Sequence, residues 1–183
     1  MHLGRPARRD PALRRALGQG AAAPGMMIWR LTPADSAAWR AIRLEALAKA
    51  PDAFGSRLAD WQDRPLDSFA ARLAATPTYA VGDDPQLPLA VAGLDPDPDH
   101  PRRLWIISVY ARPAARGRGY AEALLRHLLE IARADGMTEL ALHVGTGNEP
   151  AQRLYHRLGF AFSGAPAQMN PNGVPEAEML LAL

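Results

Sequence analysis

Residues 104–129 read LWIISVYARPAARGRGYAEALLRHLL, and three patterns follow one another in them without a break. The first eight residues are apolar on both faces, as in a strand from the middle of a sheet. The last part repeats Leu124, Leu125, Leu128 and Leu129 at helical spacing, continued just beyond it by Ile131, so those leucines are core and the helix runs to Ala134 or Asp135, closed by Gly136. Between strand and helix lies a turn with Arg116, Gly117, Arg118 and Gly119. The glycines let the backbone turn its amides outward where the helix presents unpaired N–H groups and the positive end of its dipole. Such a turn holds a phosphate or pyrophosphate, with charge added by Arg116 and Arg118.

Other readings of this turn fail on chemistry. A Walker-type loop needs a lysine after its closing glycine, and the single lysine, Lys49, lies in a different helix. A dinucleotide fingerprint needs a third small residue where Glu122 stands. A flexible RNA-binding arm is excluded by the buried strand and amphipathic helix that clamp the turn on either side.

Outward from this unit, MMIWRL reads as a strand, followed by Thr32 as N-cap, Pro33 at the first helical position and a helix to about Lys49. Pro51 breaks it, and a second helix spans about Leu66 to Ala75. TYAVG and LPLAVAGL form a hairpin through DDPQ, leading to the strand 104–111. Beyond the central helix come TELALHV as a strand, a helix from Asn148 to Leu158 capped by Gly159, and FAFSG and AEMLLAL as the last strands. The mixed order predicts a single α/β (α+β) domain over 26–183, with one mixed central sheet of about six to seven strands and about four helices.

Composition bounds the function. With 183 residues, 48% hydrophobic and 22% charged, the chain suits one soluble domain, and no apolar run approaches the roughly 20 residues of a membrane span. No cysteine is present, which removes thiol nucleophiles, thiolate metal sites and disulfides. Twenty arginines against one lysine is the bias of a GC-rich genome. Five arginines against Asp10 make residues 1–25 basic and leave the remainder slightly acidic, which disfavours nucleic-acid binding by the domain body. Residues 1–25 read as a flexible tail or as sequence ahead of a start at Met26 or Met27, with an organelle presequence or a minor-groove arm as the sharper alternatives.

The motif ARGRGYA resembles the pattern Q/R-x-x-G-x-G/A of the GNAT superfamily of N-acetyltransferases, with Arg116, Gly119 and Ala121 at its fixed places. LWIISVYARP looks like that family's fourth strand, and ELALHVGTGNEPAQRLYHRLGF looks like its fifth strand and following helix. There Asn148, Ala151, Tyr155, Gly159 and Phe160 match the spacing N-x-x-A-x-x-x-Y-x-x-x-G-F. PDAFGS is similar to a segment of one bacterial branch.

The resemblance implies fourth and fifth strands that splay apart, and acetyl-coenzyme A as donor with no metal. Its pyrophosphate would lie on the amides of residues 116–121, namely Arg116, Gly117, Arg118, Gly119, Tyr120 and Ala121. Its pantetheine would run along Val109 and Ala111, with Asn148 as a further contact or simply a helix cap. A backbone N–H near Val109 would polarise the thioester carbonyl. Tyr155 fits the general acid that protonates the departing thiolate.

The acceptor implied is an amine of a small molecule or of a peptide or protein, in a pocket between the first two helices and QMNPNG that includes Phe54, Gly55 and Ser56. Trp39 and Trp61 serve as helix packing or as pocket walls. Where some relatives carry a glutamate on the fourth strand, Trp105 or its neighbours stand here, so the base is unassigned, with His143 and Glu149 as weak substitutes. A non-catalytic acyl-coenzyme A sensor is the alternative. A cytoplasmic, bacterial enzyme is expected, and association into a homodimer through the last strands stays open.

Overall fold

The computed structural model describes residues 25–183, so the arginine-rich stretch 1–25 lies outside the described residues except for Gly25. After β1 (Met27–Arg30), the Thr32 N–H and hydroxyl both donate to the Asp35 carboxylate at 2.8 Å, while the Asp35 N–H donates back to the Thr32 carbonyl. This exchange of bonds between Thr32 and Asp35, with Pro33 next to it, starts a short 3-10 turn that continues into α1 (Ser36–Lys49). Pro51 follows the end of α1, and α2 (Leu66–Ala75) begins directly after Pro65.

The strands are β2 (Thr78–Gly82), β3 (Ala90–Pro96), β4 (Arg103–Ala111), β5 (Glu139–Gly145), β6 (Ala161–Phe162), β7 (Gln168–Met169) and β8 (Pro175–Ala182). Between them lie α3 (Tyr120–Ala134) and α4 (Glu149–Arg157). One sheet runs in the order β1-β2-β3-β4-β5-β8-β6, with β7 also paired to β8. Every pairing is antiparallel except β4 with β5. The eighth strand, β7, is two residues long and therefore carries no readable alternation, which is why the sequence suggests six or seven.

Two cores cover the two faces. Leu124, Leu125 and Leu128 of α3 pack with Leu140, Leu142, Phe160 and Met179 on one. Leu31, Trp39, Ile42, Leu47, Phe69 and Tyr110 pack beneath α1 and α2 on the other. In the second core Trp39 lies edge-on to Trp61 and Phe69, with ring centroids 5.8 and 5.7 Å away.

Leu128 is fully buried at the centre of the first core. Leu128→Ala should cost about 2–5 kcal/mol of unfolding free energy, read from equilibrium urea denaturation. A loss below about 1 kcal/mol would show that α3 does not anchor this core.

Candidate active site

The site begins where the sheet comes apart. β4 and β5 are in register only from Arg103–Glu139 to Trp105–Ala141. Beyond that point β5 stays with β8 along its length, and β4 stays with β3. The edge of β4 from Ile106 to Ala111 therefore faces a gap. At its foot the Trp105 indole stacks on His143, 4.6 Å between centroids and 24° between planes, and donates its N–H to Asp97 at 3.0 Å.

The parting coincides with a bulge. Val91 opposes Tyr110 and Gly93 opposes Ile107, so β4 carries one residue more than β3 across this stretch. Ser108 sits there at φ 56°, unusual for a residue with a side chain. The extra residue turns the strand over. Leu104 and Ile106 before it, and Val109 and Ala111 after it, all pack toward the α3 core, whereas Tyr110 packs under α1. Arg112 donates its N–H to the carbonyl of Leu89, the residue before β3, so strand alternation turns the backbone groups of Ala111 and Val109 toward the gap. The Ala111 carbonyl there accepts from Arg116 Nε at 3.3 Å.

α3 starts at the end of this edge. Gly117 and Gly119 have φ of 70° and 81°, left-handed values that strain other residues. The N–H groups of Gly117, Gly119, Tyr120 and Ala121 have no hydrogen-bond partner among the described residues, and a Cβ on either glycine would meet nothing within 4 Å. An open cradle of donors results, at the positive end of a 15-residue helix. The expected span of amides needs correcting inside it. The Arg116 and Arg118 N–H groups turn back onto the carbonyls of Pro113 and Ala115. Arg118 is also the one predicted donor-binding residue missing from the cleft wall: its guanidinium lies 5.1 Å over the Tyr120 ring, and the candidate base Glu149 is likewise absent from the wall, paired with Arg153 at 3.3 Å. The Tyr120 hydroxyl is tied to the Asp83 carboxylate at 3.0 Å, so Tyr120 offers the cradle only its backbone. Glu122, a carboxylate beside the cradle, is held by Arg126 at 2.8 Å and Arg157 at 3.4 Å. Hydrogen bonding by Arg126 keeps it ionised below its usual range.

Cradle, gap and predicted acceptor segment share one cleft of about 1080 Å³. Across the gap, Asn148 caps α4 by accepting from the Ala151 N–H at 3.3 Å and also lines the cleft. Tyr155 lines it too, its ring edge-on to Phe160 with centroids 6.1 Å apart. Its hydroxyl has no hydrogen-bond partner among the described residues, and burial pushes the phenol up to about 12.

At the other end, Phe54, Gly55 and Ser56 form the wall. The last hairpin loop latches onto them. Asn172 Nδ2 donates to the carbonyls of Phe54 at 2.8 Å and Pro51 at 3.2 Å, and Arg57 donates to the Pro171 carbonyl and to Asn172. Trp39 and Trp61 belong to the α1–α2 packing and not to the cleft wall.

Sequence reading missed Arg43, Lys49, Arg72, Asp95 and Glu176 in the same wall. Arg43 had a visible signal: it stands on the buried stripe of α1 among Trp39, Ile42, Ala46 and Leu47. No cluster of three or more potential metal ligands occurs among the described residues, and no helix among them is long and apolar enough to cross a membrane.

The family profile of the Acetyltransferase (GNAT) family matches residues 39–160. The chain is 36% identical over 80 residues to the streptothricin acetyltransferase of Streptomyces lavendulae, covering 44% of this chain and 42% of that protein. It is 40% identical over 62 residues to the L-methionine sulfoximine/L-methionine sulfone acetyltransferase of Pseudomonas aeruginosa, covering 34% and 36%. The chain thus spans less than half the length of these relatives. Its fold matches that of yncA from Salmonella typhimurium, solved with its cofactor acetyl-CoA, with a TM-score of 0.71 at 23% identity over 86% of this chain and 94% of that one. With the glycine motif on α3, the parted sheet and a profile match over most of the domain, the chain belongs to the GNAT acetyltransferase family.

Proposed function

We propose that the protein transfers the acetyl group of acetyl-coenzyme A to a primary amine. The observation that carries this reading is the continuity of three features in one cleft: the amide cradle of α3, the free edge of β4 and Tyr155. The residues fit the donor. Four unpaired N–H groups, with Arg116 beside them, suit a diphosphate. The free edge suits an amide-bearing chain lying where a strand would otherwise pair. The solved structure of yncA with acetyl-CoA adds support by its fold. When bound, acetyl-coenzyme A would supply an activated acetyl thioester.

The chain's own groups then have separable tasks. The cradle N–H groups hold the diphosphate, and the backbone of Val109 and Ala111 orients the chain that leads from it into the gap. The Val109 N–H donates toward the oxygen on which negative charge gathers, a role worth about 2.7–4 kcal/mol per donor in other enzymes. Tyr155 is held protonated by burial and donates to the departing sulfur. This role favours catalysis over mere sensing of acyl-coenzyme A.

The amine must arrive unprotonated. For an amine of pKa about 10.4 that requirement amounts to about 4–5 kcal/mol at pH 7. Asp95, Glu176 and His143 are the proton acceptors that line the cleft near the gap, and we assign the proton's removal to this wall through water. Streptothricin and methionine derivatives in the relatives' names support a small-molecule acceptor, and the bacterial relatives support an enzyme of the bacterial cytoplasm.

Tyr155→Phe should lower kcat for thiol release from acetyl-coenzyme A by about 100-fold or more. The calorimetric Kd for the donor should stay within about 2-fold, because the phenol acts on charge that forms only during transfer. An unchanged kcat would remove Tyr155 from the chemistry.

The same residue predicts an alkaline loss of stability. Below pH 10 the phenol is protonated in folded and unfolded chains alike. Between its ordinary value of 10.0 and about 12 the unfolded phenol ionises first, so the folded state loses about 2–3 kcal/mol through this window. Urea denaturation at about pH 9 and about pH 11 should show about half of this loss, about 1.4 kcal/mol, in the wild type and a smaller one in Tyr155→Phe; equal drops would place the Tyr155 hydroxyl in contact with solvent.

A further inference from the structure

Arg43 is the oddest residue in the cleft wall. It is 7% exposed, stands on the apolar stripe of α1, and forms no ion pair among the described residues. Among the described residues its Nε is buried without a hydrogen-bond partner, and its one polar contact is a long one, Nη1 to Ser108 Oγ at 3.4 Å. A buried guanidinium with most of its donors idle is costly unless an anion meets it.

The surroundings hold it ready. Its carbon lies 5.3 Å from the centroids of both Phe54 and Trp61, two ring faces that fix the planar fork while leaving its edge donors free. Arg72 adds a second positive charge nearby. Burial, and then Arg72, pull Arg43 down only to about 10, so it is cationic at neutral pH. Arg72 and Lys49 line the same cleft. Lys49 is partly answered by Glu45 at 3.5 Å, and Glu45 also pairs with Arg112 at 3.0 Å. None of the three carboxylates in the wall pairs with Arg43: Asp95 is in register with Trp105, Glu122 is held by Arg126 and Arg157, and Glu176, in register with Gly145, accepts from Asn170 at 2.9 Å.

Position then narrows the ligand. Ser108, which Arg43 touches, directly precedes Val109, the residue whose N–H is assigned to the reacting carbonyl. An anion on Arg43 therefore lies close to the amine under attack, and a carboxylate only a short way along the molecule from its amine meets that condition. We propose that the acceptor is an α-amino acid or a close analogue, recognised by its carboxylate on Arg43, with the positive field of Arg72 behind it. This inference rests on the acetyltransferase reading and deepens it.

Two assays test it with the full-length protein, both using the proteinogenic L-amino acids and their primary amides as probes. One follows thiol release from acetyl-coenzyme A; the other follows tryptophan fluorescence in the presence of coenzyme A, without turnover, using Trp61 beside Arg43 as reporter. At least one acid should be preferred to its amide by about 100-fold or more in kcat/KM, since the amide leaves the fork unpaired. Arg43→Met should bring that preference within about 3-fold without lowering the melting temperature, because an apolar replacement of a buried charge is well tolerated. Arg43→Lys keeps the charge and loses the fork, and should retain about a 10-fold preference; it carries the test if the methionine variant does not fold.

Acid binding that is lost in the variants, with no thiol release, would uphold the carboxylate site and remove the acetyltransferase reading. Thiol release with acids and amides alike, or the absence of any acid preference in both assays, would overturn the carboxylate site.

Discussion

A sheet does not readily come apart at its centre, because each unpaired backbone group away from water costs about as much as a lost hydrogen bond. Here β4 and β5 part after three residues in register. Two arrangements hold them apart: β5 remains paired to β8 along its length, and the bulge at Ser108 turns β4 over while it stays on β3. The stack of Trp105 on His143 closes the foot of the fork. The groups left along β4 are the feature on which the proposed chemistry depends, since a ligand can pair with them as a strand would.

The rest of the fold positions that gap. The α3 leucines anchor the helix to the sheet, so its N-terminal donors sit where the free edge ends. On the other face, the Trp39, Trp61 and Phe69 cluster packs α1 and α2 together. Tyr110 and Arg112 reach from the end of β4 to Glu45 of α1. This carries Arg43 to the bulge and Phe54 to the cleft wall. Stability and function share residues here: the latch from Asn170 and Asn172 to the segment 50–56 shapes the acceptor end using backbone carbonyls alone.

Much of this was legible in residue patterns, for reasons of periodicity. Leucines at helical spacing, the prolines before α1 and α2, and Gly136 and Gly159 at helix ends place the elements, since each acts within a few residues of itself. Gly117 and Gly119 mark the cradle because their left-handed backbone is a local demand. What stayed hidden is relational. The bulge depends on how β4 meets β3. The inward-turned amides of Arg116 and Arg118 depend on a short 3-10 turn at Pro113–Ala115. β7 exists only by pairing with β8. Asp95 and Glu176 look like any surface carboxylates until the sheet order brings them to one cleft. Arg43 is the intermediate case, a charge on a stripe of apolar residues that is readable as an anomaly but not as a site.

Amide hydrogen exchange, with and without saturating acetyl-coenzyme A, tests most directly the claim that the parted sheet is the donor site. The account predicts slowed exchange concentrated in residues 106–111 of β4 and 117–121 at the start of α3, with β1 and β2 unchanged. Binding that leaves both segments exchanging at their free rates would contradict it, because the donor would then be held somewhere other than the gap.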